Sequence, residues 1–289
     1  YGTSANFPLR YPIAATLNLD TQSFIKNGNY VISNTSGSIL GNPNLKPERI
    51  DEIEIGLEGR FINNRLSLDL SVYNKKTNDL IIDRPLDPST GYTSTKTNIG
   101  LIENKGVELD LSMDWFQSMD GLNWTTSLNW STNDAIVIDL GQDTDRIVYA
   151  GYGSTLGNAA IVGESLGSIV GSSNTRYGGT IENSRWVGGG EPVVNNQGSY
   201  DETFDLSIIG DANPDWIANI SNTISFRNLS FNFLFNYQSG GDIYTYTVAT
   251  LLGRGLTTDT LDRELSFILP GVNSNGQTNN KQINNSTFY

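Results

Sequence analysis

Apolar residues recur at every second position in six segments of the chain, and polar or small residues fill the positions between them. This period of two indicates antiparallel β-strands that present one apolar and one polar face. The six apolar stripes are Ile53, Ile55 and Leu57; Leu66, Leu68, Leu70 and Val72; Val107, Leu109, Leu111, Met113 and Trp115; Trp124, Thr126, Leu128 and Trp130; Trp216, Ala218, Ile220, Ile224 and Phe226; and Leu229, Phe231, Phe233, Phe235 and Tyr237.

The connections between these stripes are short on one side and long on the other. Turns fall at 63–64, 118–121 and 227–228, whereas 75 to about 106 and 133 to about 214 are long connections. We expect the first of these to be a loop with short strands at most. Strands of about 9–11 residues suit a tilted crossing of a bilayer. The pattern therefore predicts an all-β, antiparallel transmembrane barrel segment with short periplasmic turns and long extracellular loops, the longest at 134–214.

Aromatic residues support the same interpretation, because outer-membrane barrels carry aromatic girdles where the strands leave the lipid. We predict a place near the strand ends, on the apolar face, for Tyr73, Trp115, Phe116, Trp124, Trp130, Trp216 and Tyr237. The alternative is a soluble β-sandwich whose apolar stripes pack on a second sheet. The long loops on one side favour the barrel.

Composition excludes most chemistry. The 289 residues include 18 Lys and Arg against 31 Asp and Glu, a net charge of −13, and neither His nor Cys. Nucleic acid is not an expected partner, because phosphate binding needs clustered basic residues. Without His and Cys there is no disulfide, thiolate nucleophile, Ser-His-Asp triad or His- or Cys-ligated metal. We therefore predict no catalytic residues, no metal and no cofactor.

Several short motifs carry a family resemblance. The segment 41–48, Gly-Asn-Pro-Asn-Leu-Lys-Pro-Glu, precedes an alternating strand and resembles the N-P-x-L-K-P-E segment of TonB-dependent outer-membrane receptors. Further segments resemble the SusC/RagA branch of that family, from the Bacteroidetes: 63–68 with 73–76, 98–100 with 104–109, 209–216 and 240–244. Their order and spacing extend the resemblance over nearly the whole chain.

The resemblance implies a 22-stranded barrel in the Gram-negative outer membrane, plugged by an N-terminal domain. It also implies uptake of glycans, oligosaccharides or peptides with energy passed through TonB, and a SusD-like surface lipoprotein as a lid. About ten to twelve alternating segments make residues 1–289 the C-terminal portion, roughly half of such a barrel. The plug and the TonB contact would lie in a missing N-terminal region. We therefore expect a fragment, or the ordered part, of a longer protein.

Candidate binding residues lie in the long loop. Aromatic rings grip sugars and anchor protein interfaces, so we predict contact with substrate or lid for Tyr149, Tyr152, Tyr177 and Trp186. The alternative is that they pack the loop against itself. Paired carboxylates such as Glu108 and Asp110 could serve a glycosidase, but on the polar face of a strand they are expected to form a solvated lumen wall.

Three functions follow from these observations. The first is an outer-membrane importer subunit of the SusC type, which is not an enzyme. The second is a secreted β-sandwich that serves as a carbohydrate-binding or adhesion module. The third, which the residues support least, is a carboxylate-based glycosidase.

Overall fold

The structure is a computed structural model that describes residues 2–6, 17–19, 24–27, 29–31, 34–141, 144–151 and 156–288. Strands dominate the described residues. In chain order they are β1 Gly2–Asn6, β2 Leu17–Leu19, β3 Phe24–Lys26, β4 Asn29–Val31, β5 Asn34–Ser36, β6 Ile39–Leu40, β7 Glu48–Phe61, β8 Leu66–Pro85, β9 Ser94–Phe116, β10 Leu122–Asp139, β11 Arg146–Gly151, β12 Leu156–Ile161, β13 Ser168–Asn174, β14 Gly179–Glu182, β15 Arg185–Gly188, β16 Glu202–Asp211, β17 Pro214–Phe226, β18 Leu229–Gly240, β19 Ser266–Ile268 and β20 Gln282–Asn284. The helices are α1 Tyr246–Gly253 and α2 Asn285–Phe288, with 3₁₀ turns at Pro88–Thr90 and Thr258–Thr260.

A single large sheet organises the molecule. Its strand order is β1-β7-β8-β9-β10-β17-β18, and β6 pairs with β9 at one end. Every pairing in that path is antiparallel, whereas β6 runs parallel to β9. Within the described residues the sheet has eight strands and does not close on itself. The sequence pattern predicts ten to twelve segments; the difference arises because short extended segments elsewhere form small separate sheets.

The six predicted strands are confirmed, and each is longer than its apolar stripe. The predicted hairpin turns also form. Asn63 and Asn64 have φ of 54° and 67°, and Arg227 has φ of 54°. Asn accepts this left-handed conformation more readily than most residues because its short amide bonds locally to the backbone.

The prediction of a loop between 75 and 106 is wrong. Strand β8 continues to Pro85 and β9 begins at Ser94, and the two remain paired along that length. The alternation fades there because apolar residues such as Leu80, Ile81 and Ile82 are consecutive and polar residues occupy both faces around them, but backbone pairing does not depend on it. At the tip, the Asp87 carboxylate accepts the Ser89 backbone N–H at 2.8 Å. Hydrogen bonds from the Ser89 side chain and backbone hold the pKa of Asp87 below its ordinary value.

Strands also occur among the described residues of the region 134–214, whose place outside the membrane stays a prediction. It contains the end of β10 and strands β11 to β16. The chain divides into two compact units, the first formed by Tyr1–Tyr149, Ala160–Leu166 and Pro214–Gly240, and the second by Ala150–Ala159, Gly167–Asn213 and Gly241–Tyr289. Each has its own buried cluster: Val137, Leu140, Ile147 and Ala160 in the first, and Val194, Leu269 and Ile283 in the second.

The segment 41–48 forms a clasp on the main sheet. The Asn42 amide donates to the Lys96 carbonyl at 2.9 Å, and its oxygen accepts the Asn44 N–H at 3.0 Å. Further along, Asn98 accepts the Lys46 N–H and donates to the Lys46 carbonyl, both at 2.8 Å. These contacts lay the segment along β9.

Side chains also bond to backbone groups of β8 in the stretch where β7 does not pair with it. Pairing between β7 and β8 ends at Arg49 and Asn78, and Pro47 has no N–H with which to extend it. Beyond that point the Glu48 carboxylate accepts the Ile81 N–H at 2.7 Å. Asn98 donates to the Asp79 carbonyl at 2.7 Å. Side chains thus replace the missing backbone partners, as buried or half-buried polar groups require.

We predict that Asn98→Ala destabilises the sheet by about 1–3 kcal/mol, because it removes an amide oxygen that accepts one backbone N–H and two amide hydrogens that are donated to two backbone carbonyls. The measurement is the thermal midpoint of β-structure loss, followed by circular dichroism of the purified protein in detergent. Asn98→Asp is the matched variant: it keeps the acceptor for the Lys46 N–H but turns a carboxylate oxygen toward the Lys46 and Asp79 carbonyls, so it should not restore the midpoint. A midpoint for Asn98→Ala equal to that of the unsubstituted protein would contradict the clasp.

Candidate functional site

One face of the main sheet is apolar across all of its long strands. Register places Leu57, Leu70, Leu109 and Trp130 in one cross-strand row, and Leu68, Leu111, Leu128, Ile220 and Phe235 in the next. Side chains of this face remain accessible: Ile55 of β7 is 75% exposed and Phe235 of β18 is 65% exposed. An exposed apolar surface of this extent marks a membrane or protein contact.

Aromatic side chains gather at both ends of the apolar face. Toward the short turns, the Trp124 ring lies 5.9 Å from Trp115 and 6.2 Å from Phe116. At the other end, Trp216 stacks on Tyr237 at 5.0 Å. Phe226 lies ten positions after Trp216, which is about 33 Å of strand. A tilt of about 40° reduces this to about 25 Å, the height of the apolar band of an outer-membrane barrel.

Tyr73 belongs to neither of these aromatic groups, and the prediction that it lies on the apolar face is wrong. It lies opposite Glu54 and Gly106, on the polar side of the sheet. Its ring covers Gly106, where an added Cβ would lie 2.4 Å from the ring. The stripe of β8 occupies even positions from Leu66 to Val72, so residue 73 points to the other face.

Asn222 interrupts the apolar stripe of β17 and was not predicted as a feature of that face. It is 8% exposed. Its side-chain oxygen accepts the Trp124 indole N–H at 3.0 Å and the Thr126 hydroxyl at 2.7 Å. Thr126 in turn accepts the Trp115 indole N–H at 3.0 Å. Hydrogen bonds therefore join the aromatic group near the short turns across β9, β10 and β17. They satisfy polar groups that the apolar face would otherwise bury without a partner.

The opposite face is polar. Its central row consists of Glu58, Asp69, Asp110, Asn129, Asn219 and Asn236, each directly across from the next. Asn129 donates to Asp110, and Asn236 donates to Asn219 at 2.6 Å. A neighbouring row of serines includes Ser112 and Ser127, whose hydroxyls are 3.1 Å apart. This arrangement is a wetted wall of carboxylates, amides and hydroxyls.

The same face does not resemble a glycosidase site. Glu58, Asp69 and Asp110 are all exposed, whereas the general acid of such an enzyme sits in a pocket that shields it from water. Among the described residues no group of three or more Asp or Glu is arranged to hold a metal ion. No helix in the described part of the chain is long and apolar enough to cross a membrane.

Three of the four predicted binding aromatics lie among the described residues, and they are divided between the two units. Tyr149 lies in the first unit, where its hydroxyl donates to the Leu166 carbonyl at 2.7 Å. Tyr177 and Trp186 lie in the second unit. Tyr177 covers Gly276, and the Trp186 indole donates to Ser173 at 2.9 Å. Tyr152 lies outside the described residues. Contact of these four side chains with substrate or lid remains a prediction.

An antiparallel sheet with one apolar face, aromatic rims, a polar opposite face and short turns at one end defines the wall of an outer-membrane β-barrel. Comparison with known proteins agrees. The family model for the TonB dependent receptor-like β-barrel matches residues 1–166. The chain belongs to this family and is an outer-membrane protein. The predicted barrel is thus confirmed.

Individual relatives match the chain over more of its length than the family model does. The chain is 34% identical over 226 residues to TonB-dependent receptor P26 of Formosa agariphila, and 26% identical over 213 residues to TonB-dependent receptor SusC of Bacteroides thetaiotaomicron. The alignments cover 72% and 71% of this chain but 22% and 20% of those proteins. The chain therefore spans about a fifth of their length. These relatives are named as receptors, not enzymes.

A solved structure shares the fold. The structure of the RagAB peptide transporter matches with a TM-score of 0.61 and 23% sequence identity, over 82% of this chain and 26% of that one. The RagAB importer in its closed-closed state matches with a TM-score of 0.63 at 22% identity, over 83% of this chain and 26% of that one.

We predict opposite responses to the same substitution on the two faces. Leu68→Arg places a charge in the middle of the apolar face and should cost about 2–4 kcal/mol of folding free energy in a bilayer. Asp69→Arg, one position along on the polar face, should be tolerated because it stays wetted and lies beside Glu58 and Asp110. The measurement is the folding free energy of the full-length receptor in lipid vesicles. Equal losses at the two positions would mean that the faces are misassigned.

Proposed function

We propose that the chain forms part of the barrel wall of a TonB-dependent, SusC-like nutrient importer. The observation that carries the proposal is the pair of faces of one sheet, apolar toward lipid and polar toward the lumen. A wall of this kind needs no catalytic residue, because transport depends on a solvated path and on binding outside the membrane. The family membership of residues 1–166 supports the same conclusion.

The cargo and the partners are part of this proposal. Glycans, oligosaccharides or peptides are the expected cargo, and a SusD-like lipoprotein is the expected lid over the extracellular end. Similarity to SusC and to the RagAB structures supports this assignment. TonB would act through a region of the protein outside this chain. The region 134–214 would form the extracellular part that meets cargo and lid.

Energised uptake by whole cells tests the proposed function. We expect a strain that lacks the full-length receptor to lose accumulation of a radiolabelled oligosaccharide or peptide, and the restored gene to recover it. A protonophore should abolish the recovered uptake, because TonB-dependent transport draws on the inner-membrane gradient. Uptake that is unchanged by loss of the receptor for every oligosaccharide and peptide tried would contradict the proposal.

Purification from outer membranes tests the lid. A tagged receptor should bring down a surface lipoprotein in a near-stoichiometric amount. Recovery of the receptor alone, in mild detergent that preserves its β-structure, would contradict a stable lid.

A further inference from the structure

Strand β10 extends beyond its neighbour β17 at the end away from the short turns. The two strands pair until Ser131 lies opposite Ile217, and β17 begins at Pro214, which has no backbone N–H. On its other edge β10 stays paired with β9 as far as Asp139. The edge of β10 beyond Ser131 therefore needs a partner other than β17.

A short segment of the same unit, residues 162–166, supplies that partner, and we call it the strap. The Leu166 N–H donates to the Ala135 carbonyl at 2.8 Å. The Val137 N–H donates to the Glu164 carbonyl at 3.0 Å. The strap thus takes the place along β10 that a longer β17 would occupy.

A tight turn brings the strap onto β10. The Gly163 N–H donates to the Val137 carbonyl at 2.8 Å, and the Glu164 N–H donates to the Ile161 carbonyl at 3.0 Å. Gly163 is the third residue of this turn and has φ of 84°, the positive value that a type II turn requires there. A residue with a Cβ would adopt this conformation at a cost.

The strap is also held on the side away from β10. The Val162 N–H donates to the Asp145 carbonyl at 3.1 Å. The Tyr149 hydroxyl donates to the Leu166 carbonyl at 2.7 Å. Hydrogen bonds therefore join the strap to β10 on one side, and to β11 and the residue before it on the other.

Apolar packing completes the attachment. Val137 is 0% and Ala160 1% exposed, and Val162 and Leu166 pack against the cluster that these two residues help to form. Release of the strap would expose this cluster and leave backbone groups of β10 unpaired, and both changes are unfavourable. Because the cluster is already buried within its own unit, further parts of the protein can only add to its burial.

We propose that the strap is a fixed element that covers the edge of β10 and stays closed while the receptor imports its cargo. The part of the connection between β10 and β17 that ends at Leu166 is then static during transport. The claim about transport rests on the proposed importer function, whereas the claim that the strap is fixed does not.

Hydrogen exchange of the full-length receptor in lipid vesicles tests the strap without any cargo. Four strap amides, those of Val162, Gly163, Glu164 and Leu166, donate to backbone carbonyls. A proteolytic peptide that covers 161–166 should therefore exchange at least about 100-fold more slowly than an unstructured peptide of the same sequence. Exchange within about tenfold of the unstructured peptide would overturn the proposal.

Tyr149→Phe tests the attachment to β11, because it removes the hydroxyl and keeps the ring. Exchange of the 161–166 peptide should become at least about threefold faster. Tyr237→Phe is the matched control, since Tyr237 stacks on Trp216 in the same unit, and it should leave that exchange unchanged. Equal exchange in the two variants would contradict the attachment.

A disulfide tests whether the strap opens during import. Ile136 and Ser165 face each other in an antiparallel bridge, and the bonds on either side make them a non-hydrogen-bonded pair. The Cα atoms of such a pair lie about 4.5 Å apart, within the range that a disulfide spans. The chain has no Cys of its own. Ile136→Cys with Ser165→Cys should oxidise at least about fivefold faster than the control pair Ile138→Cys with Ser165→Cys, which lies two positions away on β10.

Uptake by whole cells then compares the locked strap with the free one. Cells with the oxidised Ile136→Cys, Ser165→Cys receptor should accumulate the radiolabelled oligosaccharide or peptide within about twofold of the same cells after treatment with an impermeant phosphine reductant. Uptake that is lost on oxidation and restored by the reductant would overturn the proposal. Cells that take up no probe in either state would contradict the importer function, and hydrogen exchange would still decide whether the strap is fixed.

Discussion

The main sheet depends on one constraint: a backbone that crosses lipid must find all its hydrogen-bond partners within the sheet. Long antiparallel strands meet this requirement, and their period of two then divides the side chains between lipid and lumen. A slip of one residue would move every leucine of the apolar rows to the polar side. The tight turns at 62–65 and 227–228 fix that register at the end of the strands where the connections are short.

The same constraint acts where the ladder is incomplete. Strand β7 begins only at Glu48, whereas β8 and β9 extend beyond that end of it, so the edge of β8 there needs other partners. Glu48 of the clasp and Asn98 of β9 provide them. Asn222 plays a comparable part within the aromatic girdle, where it satisfies an indole N–H and a hydroxyl. Polar side chains thus occur at the places where regular pairing or the apolar pattern is interrupted.

The strands and turns were predictable because alternation and turn residues are local properties of the sequence. The clasp was not, since Lys46 and Asn98 are separated by 52 positions and meet only through the register of the folded sheet. The extension of β8 and β9 was missed because polar and apolar residues are mixed on both faces of their outer halves. The wrong face for Tyr73 came from treating an aromatic residue near a strand end as part of a girdle without following its parity.

The predicted binding residues show a further limit. Aromatic content selected Tyr149, Tyr177 and Trp186, each of which makes a contact within its own unit. The Gly-Gly-Asp-Ile-Tyr segment, which the sequence marked only as a family motif, also makes a contact that was not predicted. Its Asp242 exchanges hydrogen bonds with Asp211, and no local pattern reveals that contact.

The most direct test of the account is the environment of two adjacent residues in the bilayer. The chain has no Cys, so a spin label on Leu70→Cys or Ser71→Cys introduces no second site within it. With the full-length receptor in lipid vesicles, the label at 70 should collide mainly with oxygen dissolved in lipid. The label at 71 should collide mainly with a water-soluble nickel complex. Equal access of the nickel complex to both positions would contradict a barrel wall with one lipid-facing side.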